Sequence, residues 1–129
     1  MGNAKLDRIF TKAKETVTQN EKVKSLLTEV KAKMDKINTD SEERSTFIYQ
    51  IQVLVRMIRA HFNGKYSAFS TSTILTLVFG LIYFITPIDL IPDFIPALGL
   101  TDDISLIYFI FRNLAEDIGR FRSWEETTG

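Results

Sequence analysis

Apolar residues return at steps of three and four along most of the chain, the spacing of one helical face. The best stripe is Phe47, Ile48, Ile51, Leu54, Val55, Ile58 and Phe62. It predicts a helix that opens at Thr39-Asp40-Ser41, with Glu43 placed to complete a capping box from Asp40. Asn63-Gly64 closes it, because glycine accepts the left-handed conformation that follows a helix. Ahead of it, from Ala4 to about Ile37, lie two shorter stripes that are out of phase. One is Leu6, Ile9, Phe10, Ala13 and Val17; the other is Val23, Leu26, Leu27, Val30, Met34 and Ile37. Thr18-Gln-Asn-Glu21 between them has the form of a capping box, so this region reads as two short helices or one long helix with a shifted face.

Residues Tyr66 to Ile88 carry no charge over 23 positions, and their apolar centre runs from Ile74 to Ile85. As a helix rising ~1.5 Å per residue the full stretch spans roughly 35 Å, against about 30 Å of bilayer hydrocarbon. It is long enough to cross. Ser67, Ser70, Thr71, Ser72 and Thr73 suit lipid poorly, however, and the apolar centre alone, roughly 18 Å, has the length of a buried core helix. A final helix is expected from Asp102 or Asp103 to about Phe121, with Thr101, Asp102 and Asp103 as caps, followed by a frayed tail. No strand pattern persists. The expected fold is all-α: a charged amphipathic helical arm at 1–38, a membrane-associated helical domain at 39–122 with hairpin helices at about 68–86 and 102–121, and the tail at 123–129.

The two hairpin helices are joined by Thr86-Pro-Ile-Asp-Leu-Ile-Pro-Asp-Phe-Ile-Pro-Ala-Leu-Gly-Leu-Thr-Asp-Asp103, which holds all three prolines of the chain. Pro87, Pro92 and Pro96 fix φ and lack an N–H, so a rigid connector is expected, with Gly99 at a turn. Its Ile88, Leu90, Ile91, Phe94, Ile95, Leu98 and Leu100 demand burial against protein or lipid, unlike an ordinary loop. The string Pro87-Ile-Asp89-Leu-Ile-Pro92-Asp93-Phe-Ile-Pro96, with Gly99 and Asp102-Asp103 after it, resembles the signature of the YkvA-like domain-of-unknown-function family of small helical membrane proteins. The resemblance extends from near Tyr66 to Arg122. It implies a helical, membrane-associated domain and brings no catalytic residues.

The same stretch offers the one concentrated chemistry. Asp89, Asp93, Asp102 and Asp103 are candidate ligands for a divalent cation, since hard cations take clustered carboxylate oxygens. Their structural alternative is helix capping by Asp102 and Asp103 and turn hydrogen bonds at Asp89 and Asp93, and this is favoured because no base, nucleophile or substrate pocket accompanies them. No cofactor is therefore expected. His61, the single histidine, has no cysteine or second histidine to share a metal with and reads as a solvated or capping residue.

Net charge is zero, which gives no reason to expect a nucleic-acid partner. Its distribution is uneven: residues 1–36 hold nine Lys or Arg against five Asp or Glu, and the remainder is correspondingly acidic. Lys12, Lys14, Lys22, Lys24, Lys31 and Lys33 would suit an arm lying on an anionic membrane, but Asp7, Glu15, Glu21, Glu29 and Asp35 dilute them. Packing of the arm on its own domain, on a second copy or on a protein partner is favoured. Arg56, Arg59 and Lys65 before the uncharged run, and Arg112, Arg120 and Arg122 after it, place both termini in the cytoplasm if the hairpin is inserted. The expected function is a non-enzymatic, membrane-associated scaffold or interaction module. The alternatives are a cation-dependent or transport site on the aspartates, and a soluble helical bundle with the hairpin as its core.

Overall fold

The computed structural model describes residues 3–86 and 96–128, with side chains for 6–86 and 103–128. Every element among them is helical: α1 (Asn3–Thr16), α2 (Asn20–Met34), α3 (Glu42–Phe62), α4 (Thr71–Ile85), α5 (Pro96–Asn113) and α6 (Ala115–Thr128). The all-α expectation holds. The out-of-phase stripes are two helices, but the capping box between them does not form. The Thr18 hydroxyl donates back to the Glu15 carbonyl at 2.7 Å, and Gln19 stands at the N-cap of α2 without a side-chain bond. Ser41, not Asp40, caps α3, its hydroxyl accepting from the Arg44 N–H at 3.2 Å. Gly64 has φ of +77°, the left-handed turn foreseen after α3.

The centre of the fold is α4. It touches α1, α2, α3 and α5, while α6 docks on α3 and α5. Ser70 caps it by accepting the Thr73 N–H at 3.1 Å, which sets its start a few residues later than expected. Ile74, Leu77, Val78, Leu81, Ile82 and Phe84 are all buried. Against them lie Ile9 and Ala13 of α1, Val23, Leu26 and Val30 of α2, and a deep α3 row including Phe47, Ile51, Leu54 and Ile58. Gly80 allows the closest approach in the core: a Cβ there would stand 2.6 Å from Ile110 Cδ1 and 3.5 Å from Ile107 Cδ1, both on α5.

A membrane-crossing helix was one expectation for the uncharged run. With 15 residues α4 is about 22 Å long, short of the hydrocarbon thickness. Among the described residues no helix is long and apolar enough to cross a membrane. The serines and threonines before Ile74 lie outside α4 or in its first turn, so most of the helix is the apolar centre, which packs on protein along all but an outer row that includes Phe79 and Tyr83.

The last part of the chain also departs from expectation. In place of one helix over 102–121 there are two, the first beginning at Pro96, where a proline at the first helical position loses no needed N–H. Near the break the Asn113 side-chain amide donates to the Phe109 carbonyl at 2.8 Å, an oxygen the helix ladder otherwise uses. The ladder resumes with Ile118 N–H to Leu114 O at 2.8 Å. The tail after Ser123 is ordered helix. Trp124 stacks on Phe121 at 5.6 Å and lies 5.1 Å from the Tyr66 ring, and Glu125 takes a two-point bond from Arg56 of α3, 2.8 and 3.3 Å.

Candidate functional site

The sequence-predicted site residues fall into three groups. Pro87, Asp89, Pro92 and Asp93 lie outside the described residues. Pro96, Gly99 and Asp102 are within α5, Pro96 as its first residue, so Gly99 sits in helix and Asp102 and Asp103 stand in its second turn instead of capping it. Asp103 alone has a described side chain. It is 3% exposed, and its Oδ2 lies 3.7 Å from Nζ of Lys33 on α2.

Lys33 joins three elements at this point. Its ammonium donates to the Phe84 carbonyl near the end of α4, sits 4.8 Å above the centre of the Phe84 ring, and faces Asp103 on α5. The carbonyl is among the last of α4, where the helix dipole favours a cation. The ring face and the carboxylate add to the same preference. The arm is thereby tied to both ends of the connector that leaves α4 and enters α5. Sequence reading grouped Lys33 with the other lysines of the arm that would suit an anionic membrane. A signal was present: Val23, Leu26 and Val30 run at steps of three and four, and Lys33 is the next step of three, where a long aliphatic stem extends an apolar stripe and delivers its charge beyond it.

This geometry bears on the cation reading. A carboxylate already facing an ammonium is a poorer ligand for a second cation. Among the described residues no group of three or more His, Cys, Asp or Glu is placed to hold a metal ion. The four-aspartate site also requires Asp89 and Asp93, which lie outside the description. Capping by Asp103 predicts near-neutral replacement by Asn, whereas burial against Lys33 predicts a cost. Asp103→Asn should lose about 1–2 kcal/mol in urea unfolding, the loss being held down because Lys33 is partly solvated. Lys33→Met in the same background should cost less than it does in the parent, because only the contacts to the Phe84 carbonyl and ring remain to be lost.

Between α1 and α2 the surface opens into a groove of about 600 Å³ floored by Leu26, Ile82 and Ile85. Its walls carry Arg8, Lys12 and Lys22 against Asp7, Glu15 and Glu29, with Lys22 and Glu15 3.8 Å apart. Charges of both signs cancel there.

His61 is neither solvated nor a cap. It is half-buried, with Nδ1 enclosed and without a hydrogen-bond partner, and its ring meets Phe62 at 4.9 Å and Phe69 at 6.2 Å. Burial lowers its pKa below the ordinary 6.5 because the charged form loses water. The unfolded chain therefore takes the proton first, and the stability His61 contributes is complete above pH 6.5 and lost as pH falls through the lower folded value. Melting temperatures measured at successive pH values should decline below this point, and His61→Phe should flatten that part of the decline.

Comparison with known proteins follows the same geography. Residues 73–110, from the first turn of α4 to near the end of α5, match the family described as Protein of unknown function (DUF1232). The chain is also 29% identical over 83 residues to the "Uncharacterized membrane protein YkvA" of Bacillus subtilis (strain 168), covering 64% of this chain and 78% of that protein. The chain resembles YkvA over that stretch. No solved structure matches it. The matched segment 73–110 contains Phe84, Gly80 and Asp103 but not Lys33, so the ammonium that meets this segment comes from outside it.

Proposed function

We propose that this protein is a non-enzymatic interaction module that lies on a membrane surface, with both termini on the cytoplasmic side. The reading of membrane association is supported by the relative named as a membrane protein, which the chain covers over most of its length. The observation that carries the surface placement is the packing of α4: the most apolar helix rests on α1, α2, α3 and α5, keeps only one row partly open, and is too short to cross. If no helix crosses, both termini stay on one side, and the basic residues that flank the uncharged run favour the cytoplasmic one. The interaction role is supported by the outward lysines of α2. Lys24 and Lys31 expose about three-quarters of their side chains while the opposite face of the helix is buried, which leaves a charged surface for a protein partner or a second copy.

Flotation through a density gradient with phospholipid vesicles tests the membrane part without any other protein. The purified chain should rise with vesicles and be stripped from them without disrupting the bilayer. A chain that stays at the bottom with every vesicle composition contradicts the proposal.

A further inference from the structure

One side of the helical assembly carries exposed apolar residues next to partly buried rings. Leu6 and Phe10 of α1 are 42% and 43% exposed although they continue an apolar stripe, because the buried face of α1 is Ile9, Ala13 and Thr16 instead. Phe10 leans toward Phe79 of α4 at 6.4 Å, and Phe79 stacks on Tyr83 at 6.5 Å. The row then passes to α5. Ile107 and Ile110 face Gly80, and Ile104 and Tyr108 line a groove with Glu42, Glu43 and Phe47 of α3. At about 100° per residue this turns Phe109, 62% exposed, away from that groove and outward from α5.

Charge separates this face from the groove at Tyr108. No charged residue occurs in α4, and the only charge between Ile104 and Asn113 is Arg112. On α1 the Lys14 ammonium sits 4.9 Å from the centre of the Phe10 ring. Tyr108, by contrast, borders Glu42 and Glu43, while Tyr49, like Phe10, carries a cation over its ring, Arg122 at 5.6 Å, but stands on α3 away from the row. Aromatic rings with cations at the rim and no carboxylate on α4 or this part of α5 complement an acyl boundary beneath anionic headgroups.

We infer that the face formed by Leu6, Phe10, Phe79, Tyr83 and Phe109, rimmed by Lys14 and Arg112, is a docking surface for an anionic lipid bilayer. The inference rests on the membrane reading above and names the surface and the lipid class. The rings enter the headgroup–acyl boundary while α4 keeps its other sides packed in protein. Lys14 and Arg112 stay at headgroup level, where each adds attraction to anionic lipid.

The test uses the full chain and vesicles of phosphatidylcholine alone or mixed with phosphatidylglycerol. The parent should float better with the mixed vesicles. Phe10→Ser combined with Phe109→Ser should lose about tenfold or more in partitioning, and Lys14→Gln or Arg112→Gln about fivefold on the mixed vesicles only. Tyr49→Ser, on another face, should bind as the parent does. All of these positions are exposed, so thermal melts near the parent's should accompany the binding data. A parent that floats with neither vesicle overturns the membrane reading and this surface with it. A parent that floats while the double Phe variant floats equally well leaves that reading intact and removes this face from it. Equal binding to neutral and anionic vesicles overturns the lipid class. If the parent self-associates in lipid-free buffer and the double variant is monomeric with unchanged flotation, the face joins copies of the chain instead.

Discussion

Removal of residues 1–38 should abolish cooperative folding of the remainder. The sequence allows the opposite result, since an arm outside the recognised signature could leave the hairpin intact. The packing decides against it. Ile9, Ala13, Val23, Leu26 and Val30 are all buried, and the surface they cover is largely α4. At roughly 1–3 kcal/mol for each larger side chain, their burial amounts to around 10 kcal/mol, comparable to the whole stability of an ordinary domain. The truncated chain also exposes the apolar α4 surface they cover. It should aggregate or show a broad, non-cooperative melt by circular dichroism. A sharp transition close to the parent's would show that α3 to α6 form a core without the arm.

Phe84→Ala should be the most damaging single substitution at the candidate site, with a loss of about 3–5 kcal/mol in urea unfolding. Phe84 is fully buried, meets Phe47 of α3 edge-on at 5.6 Å, and carries the Lys33 ammonium over its face. The substitution leaves a cavity between α3 and α4 and removes the ring beneath a cation. Phe84→Leu, which keeps most of the bulk but no π face, should cost less. The difference between the two variants should shrink in a Lys33→Met background if the cation over the ring contributes to it. Equal losses in both backgrounds would assign the whole effect to packing.

Local periodicity made much of the helical framework legible. The Phe47-to-Phe62 stripe, the Asn63-Gly64 stop and the break near Thr18 all follow from spacing and from what glycine permits. What periodicity could not settle was the occupant of the space around α4. An uncharged run satisfies lipid and protein alike, and its length alone overstated the helix because the serine- and threonine-rich start is mostly consumed by a loop and a cap. The deciding information lay 60 residues earlier in the chain, in the unpartnered stripes of α1 and α2, which need an apolar surface that α4 supplies. Pro96 was read as a breaker and proves to be a helix start, a position where proline's missing N–H has no cost. The candidate site was legible only in part. Asp103 was one of four candidate aspartates, but its partner is 70 positions away on another helix, and only the tertiary fold brings the two within 3.7 Å.

The central claim is that α4 lies in a protein core against a membrane surface and does not cross the bilayer. The chain has no cysteine, so Ser67→Cys before α4 and Thr86→Cys after it each give a unique thiol. Each variant is expressed in cells, which are converted to sealed inverted vesicles and treated with a membrane-impermeant maleimide before and after permeabilisation. Both positions should label from the cytoplasmic face, with no further gain once the membrane is opened. Labelling of one position only after permeabilisation would place the two ends of α4 on opposite sides and contradict the surface-bound bundle.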